Sequence, residues 1–129
     1  MAMVHPLSLW RVRSARREGT VPALEVIRGE CARVQAELEA AGTDWRHIVT
    51  VIQDLEPLAN QLTARIHAQG KSGASKTMEQ ARQQLWDCMW MVQPYRPYRP
   101  GSYLRDRVSL ALRSVEAALG VAPVSGSAA

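Results

Sequence analysis

Residues 24–42 read LEVIRGECARVQAELEAAG, and this stretch decides the fold class. Its apolar residues recur at alternating spacings of three and four positions, which is the pattern of an amphipathic helix with one buried face. Thr20 and Pro22 precede the stretch and Gly42 follows it, as expected of residues that begin and end a helix. The apolar face consists of Leu24, Ile27, Cys31, Val34, Leu38 and Ala41.

A second amphipathic segment contains a proline. It begins with Thr43 or Asp44 as the N-cap and ends before a glycine-containing loop at 70–73. Pro57 lies inside it, where a proline removes one backbone hydrogen bond and should kink or divide the helix near Asp54 to Glu56. Because the apolar stripe keeps its phase across Pro57, the sequence favours one helix kinked at this proline. The stripe consists of Ile48, Ile52, Leu55, Ala59, Leu62 and Ile66.

Two further segments complete the set of helices. The third has its N-cap at Ser75 or Thr77 and ends before Pro94, and the fourth begins after Ser102 and ends at Gly120. The loops after the first two helices are short, so successive helices should pack antiparallel. The sequence therefore predicts an all-α fold, a four-helix up-down bundle.

The composition is typical of one domain with its own core. A chain of 129 residues can bury such a core without disulfides or metal. Cys31 and Cys88 lie at or beside core-facing positions, as expected of buried thiols in a reducing compartment. No stretch is long enough to span a bilayer, so we expect a cytoplasmic protein with no membrane association. Since the chain has no phenylalanine, the large core positions should be filled by leucines together with Trp45, Trp86 and Trp90.

The chain divides into three regions by composition. Residues 1–19 form a basic N-terminal arm or short helix, and residues 20–120 form the helical bundle. Residues 121–129 are mostly small, and we expect them to be a disordered tail.

The net charge of +4 comes from two short segments. Residues 1–20 and 94–107 each carry four arginines against one acidic residue, or +3, whereas 21–93 carry seven basic against nine acidic residues, or −2, and 108–129 are neutral. Fourteen arginines stand against two lysines, and guanidinium suits bidentate phosphate or carboxylate contacts and stacking on rings. Codon usage in a GC-rich genome would produce the same excess of arginine.

Both positive segments also carry aromatic residues, and together they are the candidate binding residues for a partner or a nucleic acid. In the arm these are Trp10, Arg11, Arg13, Arg16 and Arg17. In the second segment they are Tyr95, Arg96, Tyr98, Arg99, Tyr103, Arg105 and Arg107.

The second segment contains PYRPYRP at 94–100, here named the Pro-Tyr-Arg connector. Its three-residue period is that of polyproline II, which would place prolines, tyrosines and arginines on separate edges. Three interpretations remain open. The connector can be structural, it can be a preformed ligand for a protein partner, or its tyrosines can stack on unpaired bases while its arginines contact phosphates.

A cluster of large side chains at the end of the third helix has two interpretations. It can pack as core and under the connector, or part of it can be exposed as a contact patch for a partner, since Trp and Met are enriched at interfaces. The candidate contact residues are Trp86, Trp90 and Met91.

The candidate catalytic and metal-binding motifs are incomplete, because residues or structural elements that each motif requires are missing from the sequence. Gly70-Lys71-Ser72 resembles the end of a phosphate-binding loop, but it lacks the earlier glycine and the strand that feeds such a loop. Asp44 and His47 have the spacing of one arm of a di-metal site, but no Glu-x-x-His occurs in the chain. We therefore expect no cofactor, no metal and no enzymatic activity. The function predicted is that of a small binding or accessory protein for a protein partner or larger complex; the alternative is a nucleic-acid-binding subunit without sequence specificity.

Overall fold

Five helical segments make up the fold in a computed structural model that describes residues 21–127, with side chains for 21–120. They are α1 (Leu24–Ala41), α2 (Trp45–Gln53), α3 (Leu55–Gln69), α4 (Gly73–Met91) and α5 (Gly101–Ser127). The segments α2 and α3 form one bent helix, so the architecture is a four-helix bundle. The bent helix packs on α1 and α4, and α5 packs on α1, α2 and α4. The predicted all-α up-down bundle is confirmed.

The bend lies at Asp54, three residues before Pro57. Asp54 has φ −77° and ψ −2°, and its N–H bonds the carbonyls of Thr50 and Val51. Pro57 is the third residue of α3, and an N–H in the first turn of a helix has no intrahelical acceptor in any case. The kink predicted near Asp54 to Glu56 is therefore confirmed, and Pro57 lies in the first helical turn after it. The apolar stripe keeps its phase because Asp54 stays in the right-handed helical region.

The core formed by the described residues consists of aliphatic and sulfur-containing side chains. Buried residues from all five segments form a single cluster, and the largest fully buried side chains are leucines, isoleucines and Met78. The prediction that tryptophans fill core positions is wrong. Branched aliphatic side chains fill the space between closely packed helices, and the rings lie outside it. The tryptophans of the described region are 38% to 59% exposed, namely Trp45, Trp86 and Trp90.

The predicted helix starts are right for α2 and wrong for α4 and α5. Asp44 caps α2, because its carboxylate accepts the N–H of His47 at 3.1 Å. The N-cap of α4 is Ser72 and not Ser75 or Thr77, because the Ser72 hydroxyl accepts the Ser75 N–H at 3.1 Å. This choice exposes Ser72 and buries Ser75. The helix α5 begins at Gly101, ahead of Ser102.

The helix α5 continues past the predicted end at Gly120. It reaches Ser127, where the sequence predicted a disordered tail; residues 128–129, like the predicted arm at 1–19, lie outside the described residues. Pro123 lies within this extension and has no N–H to bond the carbonyl four residues earlier. That carbonyl belongs to Leu119, and the Arg28 guanidinium donates to it at 3.0 Å. A side chain of α1 thus supplies the hydrogen bond that the proline cannot. None of the described helices combines the length and the apolarity that crossing a bilayer requires.

Candidate interaction surface

Antiparallel packing brings distant parts of the chain to one end of the bundle. The last turn of α1, the first turn of α2, the end of α4, the connector and the start of α5 meet there, at residues 38–47 and 86–107. We call this the aromatic end, because it carries every aromatic side chain of the described residues. All of them are exposed: Trp45, Trp86, Trp90, Tyr95, Tyr98 and Tyr103.

The first repeat of the connector is a turn and not polyproline II. The Arg96 N–H bonds the carbonyl of Gln93 at 3.2 Å, and Tyr95 has φ 71°. Pro94 in the second position and a positive φ in the third are features of a type II turn, in which the third residue is normally glycine. A tyrosine there costs about 1–2 kcal/mol. The turn holds the Tyr95 ring fully in solvent.

The rest of the connector is fixed to the α1–α2 turn. The rings of Tyr98 and Trp45 pack with centroids 5.8 Å apart and planes tilted by 31°. Gly101 lies so close to this turn that a Cβ on it would be 2.1 Å from the carbonyl oxygen of Thr43. Glycine at this position therefore allows the two backbones to meet. The connector is held by defined contacts at its second tyrosine and at its end.

Arg105 is the third anchor of this junction. Its Nη1 donates to the carbonyl of Leu38 at 2.6 Å and to that of Gly42 at 2.9 Å. These carbonyls lie in and just after the last turn of α1, where the helix leaves acceptors without partners. Arg105, one of the predicted binding residues, is thus occupied in capping α1.

Two arginines of the connector stack on aromatic rings. The Cζ of Arg96 lies 4.6 Å from the centre of the Trp90 ring, and the Cζ of Arg99 lies 5.2 Å from that of Tyr103. Such cation–π contacts orient the guanidinium planes. Between them lies a cleft of about 100 Å³ with no acidic residue in its wall. The lining residues are Trp90, Met91, Arg96, Pro97 and Arg99.

The large side chains at the end of α4 are partly packed on the core and partly exposed. Met91 is partly buried against the core, while Trp90 remains 59% exposed with one ring face covered by Arg96. Trp86 lies one turn earlier on α4 and is also exposed. Of the three candidate contact residues, the two tryptophans are thus exposed and Met91 is partly buried.

The arginines divide into two groups by their hydrogen bonds. Six donate to carbonyls or polar side chains of described residues: Arg28, Arg33, Arg65, Arg82, Arg105 and Arg113. Four make no side-chain hydrogen bond to a described residue, and all four lie at the aromatic end: Arg46, Arg96, Arg99 and Arg107. The Nε of Arg107 is buried without an acceptor among these residues. Guanidinium groups without a hydrogen-bond partner among the described residues thus lie beside the exposed rings.

The two cysteines are placed for packing. Burial is the main reason that the pKa of each thiol is raised to about 11, with a smaller contribution from Glu116 at Cys31 and opposing contributions from Arg107 and Asp87 at Cys88. The thiols donate to backbone carbonyls, Cys31 to Leu112 at 3.6 Å and Cys88 to Arg107 at 3.5 Å. Both thiols are therefore protonated at neutral pH, and a thiolate nucleophile is disfavoured.

The remaining sequence motifs have local structural roles. Ser72 of the Gly70-Lys71-Ser72 segment caps α4, and a groove of about 500 Å³ opens beside it at the end opposite the aromatic end. Asp44 caps α2, and the side chain of His47 is exposed. In the part of the chain that the structure describes, no three His, Cys, Asp or Glu side chains are grouped as metal ligands.

The candidate residues of the arm, Trp10, Arg11, Arg13, Arg16 and Arg17, lie outside the described residues. Comparison of the chain with models of protein families, with curated proteins and with solved structures finds no significant match.

Sequence reasoning missed three residues of this surface: Trp45, Arg46 and Gly101. The sequence predicts a core position for Trp45, yet this side chain, on the first residue of α2, is 38% exposed. A glycine directly after Pro100 was the available signal for Gly101, because glycine permits close approach of two backbones. Arg46 belongs to the surface only because the bundle places α2 beside the connector.

Proposed function

We propose that this protein is a non-enzymatic binding protein that serves as an accessory subunit and engages a macromolecular partner through the aromatic end. One observation carries the proposal. The described region has six aromatic side chains, and all six are exposed at one end of a bundle whose core contains none. Large rings normally leave water on folding, and several large rings left exposed at one end of a fold are typical of a binding surface.

The residue types support the same conclusion. Tryptophan, tyrosine and arginine are the side chains that most often dominate binding energy at interfaces. Arg96 and Arg99 are held by their rings, and Tyr98 is held by Trp45. A partner therefore meets side chains whose conformational freedom is already reduced, which lowers the entropic cost of association.

The strained turn is further support. A tyrosine at φ 71° is unfavourable, and its fully exposed ring makes no packing contact that offsets the strain. Backbone strain of this kind is concentrated at functional sites, where it is tolerated because the strained conformation is needed for function. Here the strained turn directs the Tyr95 ring into solvent.

A non-enzymatic role in a reducing compartment fits the described residues. The two thiols are buried and form no disulfide, and burial raises the pKa of both. Unpaired buried cysteines are usual in the cytoplasm, where we place the protein.

The test is a comparative pull-down from the source organism. The tagged full chain is compared with Trp90→Ala/Tyr95→Ala and with the control Lys71→Ala/Lys76→Ala, which changes two exposed residues at the opposite end. We expect the first variant to lose the captured material, protein or nucleic acid, and the control to retain it, with circular dichroism unchanged in both. Equal capture by the chain and by Trp90→Ala/Tyr95→Ala would overturn the proposal.

A further inference from the structure

The geometry points to single-stranded nucleic acid as the partner of the aromatic end: Arg96 and Arg99 bind backbone phosphates, and Tyr95 and Tyr98 stack on bases. This inference rests on the proposed function and names the class of partner. It is carried by the cleft between the two arginines, by the absence of hydrogen-bond acceptors for them among the described residues, and by the exposure of the tyrosine rings.

The cleft has the chemistry of an oxyanion site. Arg96 and Arg99 both line about 100 Å³ of space, and neither side chain donates a hydrogen bond to a described residue. Stacking on a ring uses the flat face of a guanidinium and leaves its five N–H donors in the plane. Those donors fit phosphate oxygens in pairs. Trp90 and Tyr103 thus orient Arg96 and Arg99 without consuming their hydrogen bonds.

The tyrosines supply stacking surfaces beside this cleft. Tyr95 is fully exposed and Tyr98 is 72% exposed, each one residue before an arginine of the cleft. A base that stacks on such a ring gains about 1–3 kcal/mol whatever its identity. Bases in a duplex already stack on each other and offer only their edges, so open rings favour an unpaired strand. Ring and guanidinium alternate along the sequence at 95–96 and 98–99, as base and phosphate alternate along a strand.

An acidic protein segment fits this surface less well. It would satisfy the two guanidinium groups, but the Tyr95 ring stands alone with no pocket wall around it. Protein contacts that contribute strongly are surrounded by neighbours that exclude water, whereas a stacked base requires one open ring face. The Tyr95 ring is open to solvent, as a stacking base requires.

The experiment measures binding of fluorescein-labelled oligothymidylate and oligouridylate of about 20 nucleotides to the full chain by fluorescence anisotropy, over a range of salt concentrations. Each phosphate contact contributes about 0.7 to the slope of log K against log salt for single strands. Arg96→Gln/Arg99→Gln should therefore flatten the slope by about 1.4 and weaken binding at low salt by at least about tenfold. Tyr95→Ala should weaken it roughly five- to hundredfold with the slope unchanged.

The matched control is Lys71→Gln/Lys76→Gln, which removes the same charge at the opposite end. Its affinity should stay within about twofold of the unmodified chain, because screened charges at that distance contribute little. Equal losses in the two double variants, or equally tight binding of a duplex of the same length, would overturn the inference. If the unmodified chain binds neither oligonucleotide while Trp90→Ala/Tyr95→Ala still loses its captured partner, the partner is a protein. The proposed function would then stand, and this inference would fall.

Discussion

At the scale of single residues, Gly101 determines how the connector joins the bundle. A Cβ at this position would lie 2.1 Å from the carbonyl oxygen of Thr43, and that oxygen belongs to backbone that cannot rotate away. Gly73 offers a matched comparison, since it is also the first residue of a helix but has open space around it. Comparing substitutions at the two glycines therefore distinguishes the effect of a steric clash from the effect of helix propensity.

We expect Gly101→Ala to lower the free energy of unfolding by about 1–3 kcal/mol, because the added methyl forces backbone apart. Gly73→Ala should leave it unchanged or raise it by up to about 1 kcal/mol, since alanine restricts the unfolded chain. Urea unfolding followed by circular dichroism measures both. Equal effects of the two substitutions would mean that the contact between Gly101 and Thr43 is not tight.

The buried thiols predict a loss of stability at alkaline pH. Burial raises the pKa of Cys31 and Cys88 in the folded protein from 9.0 to about 11. The unfolded chain therefore releases these protons first, and stability that is fully present below pH 9 declines as the pH rises toward 11. Thermal unfolding between pH 8 and 11 should show this decline, and Cys31→Ala/Cys88→Ala should flatten it. A decline of the same steepness in the double variant would assign it to other groups.

At the scale of elements, the periodic segments were predictable and the turns were not. Helical stripes are visible in sequence because burial repeats with the helix period, and the cap at Asp44 follows from its position before a stripe. The cap of α4 was ambiguous because Ser72, Ser75 and Thr77 can all cap a helix. The connector was ambiguous for a subtler reason. Pro94 has nearly the same φ and ψ in polyproline II and at the second position of a type II turn, so only φ of Tyr95 separates the two.

The turn at Tyr95 gives a prediction that separates stability from function. Tyr95→Gly should raise the free energy of unfolding by roughly 1 kcal/mol, because glycine adopts a positive φ without strain. The same change should weaken partner binding, since the exposed ring is lost. Tyr98→Gly is the control and should lower stability, because its ring packs on Trp45. A loss of stability in Tyr95→Gly would show that the ring makes packing contacts in solution.

At the scale of the whole molecule, the bundle separates an aliphatic body from an end that carries the rings. The sequence predicted the number of helices and the surplus charge of 94–107, which are local properties. It could not predict that Trp45 would lie beside Tyr98, or that Arg105 would cap α1 while Arg96 and Arg99 kept their donors available. Those facts depend on which helix ends meet, and only the packed structure determines this.

The most direct test of the central claim places a photo-crosslinking amino acid, benzoylphenylalanine, at position 95 in the full chain. The control carries it in place of Glu79, which is also exposed but lines the groove at the opposite end. After irradiation in extract from the source organism, adducts are separated by size and treated with protease or nuclease to identify the partner. We expect a discrete adduct from position 95 and none from position 79. An adduct from position 79 with none from position 95 would contradict this expectation.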